Sequence, residues 1–190
     1  MNSNSFANGK AGAQKNVGIP GITILIVRKD ILERADADKL KSFGLPPAPI
    51  VFDYLTTFKN NSLYNTLPIF SLYVADLVFQ HLLETGGIEA QEARNAKKAK
   101  LVYSALEDAE KEEKLQLVVQ PGVRSRMNVP FKFKTKEIDG EFLKKAEAKN
   151  MMQLKGHRSV GGIRVSLYNA ITPEDAEKFV AFLKEYLRTL

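Results

Sequence analysis

Residues 154–170 read LKGHRSVGGIRVSLYNA, and the organisation of the chain follows from this stretch. The adjacent glycines Gly161 and Gly162 mark a turn, and residues 163–168 after them have the apolar content of a strand. Thr172, Pro173, Glu174 and Asp175 then form a helix start, with a capping hydroxyl, proline at the first position and acids in the first turn. Ala176, Phe179, Val180, Leu183, Tyr186 and Leu187 recur on one face of that helix. Working back, residues 139–149 read as a helix. Residues 115–119 and 127–133 read as strands, the second with alternating Val129, Phe131 and Phe133. A long helix over 89–114 precedes them. The expected architecture is α/β, with residues 88–190 forming a self-contained small sandwich whose sheet is mainly antiparallel.

The upstream part reads differently. Residues 22–27, ITILIV, are an unbroken run suited to a strand buried on both faces. Such a strand needs sheet neighbours, and the preceding sequence offers none, so the chain is expected to be incomplete here. Residues 1–12 are polar and aperiodic and are expected to form a disordered leader. Gly44, Pro46, Pro47 and Pro49 make residues 42–53 an extended connection. A helix is expected from Pro68, with Asn65 and Thr66 as candidate caps and Gly86 and Gly87 ending it. Its polar residues Asp76, Gln80 and Glu84 occupy one narrow face, so the helix should be buried, in part at a subunit interface. Residues 13–87 are therefore expected to be a second, dependent unit.

Composition removes several functions. The absence of cysteine excludes disulfides, thiolate metal sites and cysteine nucleophiles, and two histidines, His81 and His157, are too few for a His-rich zinc site. A net charge of +6 permits nucleic acid, anionic membrane or small anionic ligands. Arg94, Lys97, Lys98 and Lys100 are the candidate nucleic-acid patch. Glu107, Asp108, Glu110, Glu112 and Glu113 follow on the same helix with no aromatic residue among the lysines, so a solvated helix surface is expected instead. No run approaches the roughly 18 apolar residues of a membrane span, and the first residues lack the pattern of a targeting signal. The expectation is a soluble, cytoplasmic protein with small anionic ligands and neither nucleic-acid nor membrane partners.

Two places could carry chemistry. Lys15 lies among small residues before the apolar strand. It is either an ordinary surface lysine or an amine held against a carbonyl compound, where partial desolvation would favour Schiff-base formation. Residues 156–164 set His157, Arg158 and Arg164 around the paired glycines. They are either an anion site, since guanidinium groups bind carboxylate or phosphate in bidentate fashion, or a structural turn with exposed charges. Arg164 opens an apolar strand and needs an anionic partner, a ligand or a core carboxylate. Arg124 and Arg126 either add to the same field or are structural.

Four segments occur in a telling order. They are Gly12-Ala13-Gln14-Lys15-Asn16, Tyr64-Asn65-Thr66 followed by Pro68, Arg124-Ser125-Arg126-Met127-Asn128-Val129-Pro130-Phe131, and the 154–162 stretch continued by Arg164 and Tyr168-Asn169-Ala170. Together they closely resemble the C-terminal half of the phosphoserine aminotransferases, pyridoxal-phosphate enzymes of the fold-type I, class V group. The resemblance runs over residues 11–190. It implies that residues 13–87 are a remnant of the large cofactor-binding domain with a dimer-interface helix, and that residues 88–190 are the small domain. It further implies that Lys15 binds pyridoxal 5'-phosphate as a Schiff base and shuttles the proton at C4′, with Gln14 holding the cofactor phosphate. Asn65 and Thr66 would reach across a homodimer interface to the partner's cofactor phosphate. His157 and Arg158 would bind the substrate's phosphate or the side-chain carboxylate of glutamate, and Arg164 the α-carboxylate.

The implied reaction transfers the amino group of L-glutamate to 3-phosphohydroxypyruvate, giving 2-oxoglutarate and O-phospho-L-serine in serine biosynthesis. Family members are much longer. Their Gly-rich phosphate segment, stacking aromatic ring and pyridine-facing aspartate have no counterpart in this sequence, so the expectation is a truncated chain inactive by itself. The alternative is a non-catalytic binding or regulatory module that dimerises with a full-length aminotransferase through residues 60–85. Residues 1–10 resemble nothing in the family, and Ile19-Pro20-Gly21 stands where Pro-Ala-Gly is more usual.

Overall fold

The computed structural model describes residues 8–32 and 36–190, divided between His81 and Leu82 into two units.

The first unit opens with strand β1 (Asn8–Gly12), which pairs antiparallel with β2 (Thr23–Val27), Gly12 opposite Thr23 and Asn8 opposite Val27. This corrects two expectations. Residues 8–12, expected as part of a disordered leader, form a strand; residues 1–7 of that leader lie outside the described residues. A β-ladder is made of backbone groups, so a strand of small polar residues can form against a β-branched partner despite its composition. Nor is β2 buried on both faces, since Ile26 is 66% exposed and Leu25 36%. A two-stranded ribbon has too little surface of its own to cover either face.

Three short helices follow: α1 (Lys29–Leu32), α2 (Ala37–Ser42) and α3 (Tyr54–Lys59). Asp36 caps α2 and Asp53 caps α3, each carboxylate accepting from two backbone N–H groups of the first turn. Helix α4 (Ile69–Glu84) begins one residue later than expected. The Pro68 carbonyl accepts from the Leu72 N–H at 3.1 Å, so Pro68 is the cap residue, while Asn65 and Thr66 lie upstream in exposed chain. Within the chain, α4 is buried along one side only. Its buried residues are Ser71 and Ala75, and the opposite side exposes Ile69, Phe70, Tyr73 and Leu77. The segment between β1 and β2 meets one side of the helix, Gly18 at Ala75 and Pro20 and Gly21 at Ser71, and much of the remaining apolar circumference is exposed.

The second unit contains α5 (Gly87–Lys111), β3 (Leu115–Leu117), β4 (Asn128–Phe133), α6 (Lys136–Ala148), β5 (Ile163–Ser166) and α7 (Pro173–Leu187). Its sheet has the order β3-β4-β5, antiparallel throughout. Alternation buries Leu115, Leu117, Val129, Phe131, Phe133, Ile163 and Val165 on one face, and places Gln116, Lys132 and Arg164 on the other. The buried face joins Val102 and Leu106 of α5, Phe142 of α6 and Phe179, Leu183 and Tyr186 of α7 in one core. Phe142 is its centre, 5.2 Å ring to ring from Phe133 and 5.1 Å from both Phe182 and Tyr186. Helix α7 has the anticipated cap. The Thr172 hydroxyl accepts from the Asp175 N–H at 3.1 Å, and the Asp175 carboxylate accepts from the Thr172 N–H at 3.2 Å. The expected α/β class holds.

Candidate functional site

The sequence-derived residues divide between the units. In the first, Gln14 and Lys15 sit on the turn that leaves β1. Ala13, itself buried, donates its N–H to the Ile22 carbonyl at 3.0 Å, and the Lys15 N–H returns to the Ala13 carbonyl at 2.7 Å. The turn thus fixes the backbone, while the Lys15 side chain is exposed rather than packed. The following residues are tied to α4. The Ser71 hydroxyl donates to the Pro20 carbonyl at 2.8 Å, and a side chain at Gly21 would stand 2.8 Å from that same hydroxyl oxygen. The Lys15 turn and the exposed Asn65–Thr66 approach are therefore both anchored on the N-terminal half of one helix.

In the second unit, residues 156–162 form a loop closed at its neck, where the Gly156 N–H donates to the Gly162 carbonyl at 2.8 Å. A side chain at Gly156 would meet the Gly161 carbonyl oxygen at 2.0 Å. One at Gly162, where φ is +69°, would meet the Phe131 carbonyl oxygen at 2.6 Å. Inside the neck the His157 carbonyl accepts from the N–H groups of Val160 and Gly161, at 2.9 and 2.8 Å. The His157 ring is oriented by Ser159, whose hydroxyl lies 2.7 Å from Nδ1. His157 and Arg158 are exposed, and both line an open depression of about 1030 Å³. The Arg158 guanidinium has no hydrogen-bond or ion-pair partner among the described residues.

Arg164 is placed elsewhere. It lies on the sheet face away from the core and lines a second depression, of about 720 Å³, with Ser166 and Tyr168. Its Nε is buried and has no hydrogen-bond partner among the described residues. A buried guanidinium N–H without an acceptor is costly and suits a site completed by an anion.

Arg124 is occupied structurally. It is salt-bridged to Glu107, donates from Nε to the Val119 carbonyl at 3.1 Å, and lies 4.9 Å from the Tyr103 ring centre. Arg126 pairs with Glu92 at 2.9 Å on the surface.

The expectation that all of the basic run on α5 is solvated is corrected at Lys98, which is 1% exposed. Its Nζ donates to the carbonyls of Tyr168 and Ile171, at 2.8 and 2.7 Å. One turn away, Asn95 donates to the Asn169 side chain at 2.9 Å. Burial, with some repulsion from Arg94, lowers the Lys98 amine below its ordinary value. The missed signal was positional. Lys98 falls on the stripe of Asn95, Val102, Ala105 and Ala109, at helical spacing on the buried side of α5.

Among the described residues, no group of three or more acidic or imidazole side chains is placed to hold a metal ion, and no helix is long and apolar enough to cross a membrane.

Comparison with known proteins agrees with the motifs. The aminotransferase class-V family matches over residues 10–179. The chain is similar to the phosphoserine aminotransferase of Saccharomyces cerevisiae, 50% identical over 179 residues, covering 93% of this chain and 45% of that protein. It is 46% identical over 175 residues to phosphoserine aminotransferase 1, chloroplastic, of Arabidopsis thaliana, covering 92% of this chain and 38% of the relative. Among solved structures it resembles phosphoserine aminotransferase from Bacillus circulans subsp. alkalophilus. The TM-score is 0.87 at 38% identity, over 100% of this chain and 49% of that one. The pyridoxal-phosphate-bound enzyme from Trichomonas vaginalis gives 0.84 at 36% identity, over 97% and 49%. The chain spans less than half the length of these curated relatives. With the family matched across most of its residues, the chain belongs to the class-V aminotransferases.

Proposed function

We propose that this chain is the lysine-bearing portion of a phosphoserine aminotransferase, acting in the cytoplasm as part of a homodimer. The reaction would move an amino group from L-glutamate to 3-phosphohydroxypyruvate, giving 2-oxoglutarate and O-phospho-L-serine. The observation that carries this reading is the orphaned Arg164 Nε, a buried cationic donor suited to a carboxylate. The exposed His157/Arg158 loop, in a separate depression, adds a free guanidinium for a second anion. All four substrates are anions with a carboxylate, and each carries either a second carboxylate or a phosphate.

The residues of the first unit fit pyridoxal 5'-phosphate in their chemistry: an exposed primary amine at Lys15, amides at Gln14 and Asn65 and a hydroxyl at Thr66. When bound, that cofactor supplies the electron sink through which the amino group is exchanged. Lys15 would attach it and carry the proton to and from the reacting carbon. Gln14 would hold its phosphate, and Asn65 and Thr66 would serve the partner's. Dimerisation through α4 is supported by the exposed side Ile69, Phe70, Tyr73 and Leu77, a row of apolar groups of the kind that marks an interface.

The test is reductive trapping. The chain is incubated with one equivalent of pyridoxal phosphate, reduced with borohydride and mapped by mass spectrometry, beside the Lys15→Ala variant. The label should concentrate on Lys15 in the wild type. A label spread evenly over exposed lysines, unchanged by the substitution, would overturn the assignment.

A further inference from the structure

The depression lined by His157 and Arg158 is also lined by Lys132, Lys134, Lys136 and Lys155. None of these four ammonium groups has a salt bridge or hydrogen bond among the described residues. Elsewhere in the unit, Lys111, Lys114, Arg124, Arg126, Lys145, Lys149 and Lys178 are ion-paired. Lys97, Lys100, Lys144 and Lys184 are exposed without an ion pair among the described residues and lie outside this depression, so what sets the four apart is that they share one site. The carboxylates of the depression offset the excess only in part. Five cationic side chains, the four lysines and Arg158, face three carboxylates, Glu110, Glu113 and Asp139. Two of these already accept from backbone, Glu110 from the Leu117 N–H at 2.7 Å and Asp139 from the Phe133 N–H at 2.9 Å.

Two of the lysines are fixed beside the loop by backbone. Lys132 belongs to β4, and a side chain built at Gly162 would come within 3.1 Å of its Cβ. Lys155 is bridged to Ile163 and immediately precedes the Gly156 neck.

We propose that Lys132 and Lys155 are charge-selecting residues of the His157/Arg158 site, favouring a dianionic phosphate monoester over a carboxylate. The inference rests on the reading of that loop as the distal anion site. Guanidinium forks accept carboxylate and phosphate alike, so Arg158 alone discriminates weakly between two ligands that differ in their distal group. Ammonium groups act as point charges, and their Coulomb attraction doubles when the ligand charge doubles. A phosphate monoester is a dianion above its second pKa of about 6, whereas a carboxylate carries one charge throughout.

The test uses the 190-residue chain, titrated at low salt and pH 8 with O-phospho-L-serine and with L-glutamate, by calorimetry or NMR shift. These ligands share the amino-acid end and differ at the other. Removing both lysines (K132Q with K155Q) should weaken phosphoserine about tenfold and glutamate about threefold, its square root, because the attraction scales with ligand charge. At pH 5 the phosphoserine loss should shrink to the glutamate value, with the variant compared with wild type at each pH. K144Q, on α6 outside the depression, should change either affinity less than about twofold. Equal losses for the two ligands, or no loss, would overturn the inference. If R158Q weakens binding and the double variant does not, the lysine role fails alone. If R158Q has no effect, or the wild type binds neither ligand, the reading of the loop fails with it.

Discussion

Replacing Lys98 by methionine removes an ammonium group that satisfies two backbone carbonyls inside the second unit. The lysine is 1% exposed, and its bonds to the Tyr168 and Ile171 carbonyls are 2.8 and 2.7 Å long. Methionine matches the stem and cannot donate. Each stranded acceptor costs about 1–3 kcal/mol, offset in part because no charge need then be buried. The net expectation is about 2–4 kcal/mol of lost stability for residues 82–190. Native-state hydrogen exchange at the amides of Phe131, Ile163 and Val165 reads that unit without interference from the other. The sign with pH follows from the lowered amine value. Between that value and the ordinary lysine pKa the unfolded chain binds the proton more strongly than the folded one. Wild-type stability should therefore rise with pH across that window, and K98M should lack the rise. The exposed neighbour Lys97→Met should stay within about 0.5 kcal/mol of wild type. If K98M proves as stable as K97M, the two carbonyl bonds do not hold residues 168–171 and the reasoning is refuted.

Four further outcomes can be measured on the same chain. Phe142→Ala should destabilise the second unit by about 3–5 kcal/mol in urea unfolding, because its ring is fully buried among four other aromatic side chains within about 6 Å. Thr172→Ala should cost about 1 kcal/mol by opening the α7 cap. Asp175 is held below the usual carboxylate range by the Thr172 N–H and hydroxyl. Its support is therefore present above the unfolded carboxylate pKa and disappears as pH falls through the lowered value, and Asp175→Asn should abolish that part of the acid dependence. Gly162→Ala should deform the loop, since its φ of +69° and the Phe131 carbonyl leave no room for a methyl group. Shifted amide resonances at His157 and Ser159 would report it, and an unchanged loop spectrum would count against the packing described.

What was legible in the sequence was local. Thr172, Pro173 and Asp175 specify a cap within four residues, and Val129, Phe131 and Phe133 announce one buried face by simple alternation, so both features appear as read. The pairing of β1 with β2 was not legible, because ladder bonds are made by backbone atoms and the side chains of residues 8–12 carry little pattern. The exposure of α4 depends on which surfaces the rest of the chain can offer, a quantity no helical period contains. Lys98 illustrates a different limit. Its charge suggested solvent, whereas its position on the apolar stripe of α5 decided its fate, and carbonyls 70 and more residues away made burial tolerable. Among the candidate residues, Lys15 of the first unit and His157 and Arg158 of the second could be picked out by residue type and motif. The grouping of Lys132 and Lys155 with that loop required the fold.

The neck of the 156–162 loop has a bearing on how this surface can diversify. Its shape is held by main-chain bonds, from Gly156 to Gly162 and from Val160 and Gly161 back to His157. The glycines are the constrained positions of the neck, His157 and Ser159 add a side-chain bond within the loop, and Arg158 and Val160 are exposed. Arg158 and Val160 can be exchanged without breaking a bond that holds the turn. The loop is thus a cassette in which ligand preference can drift while the scaffold beneath it stays under separate selection.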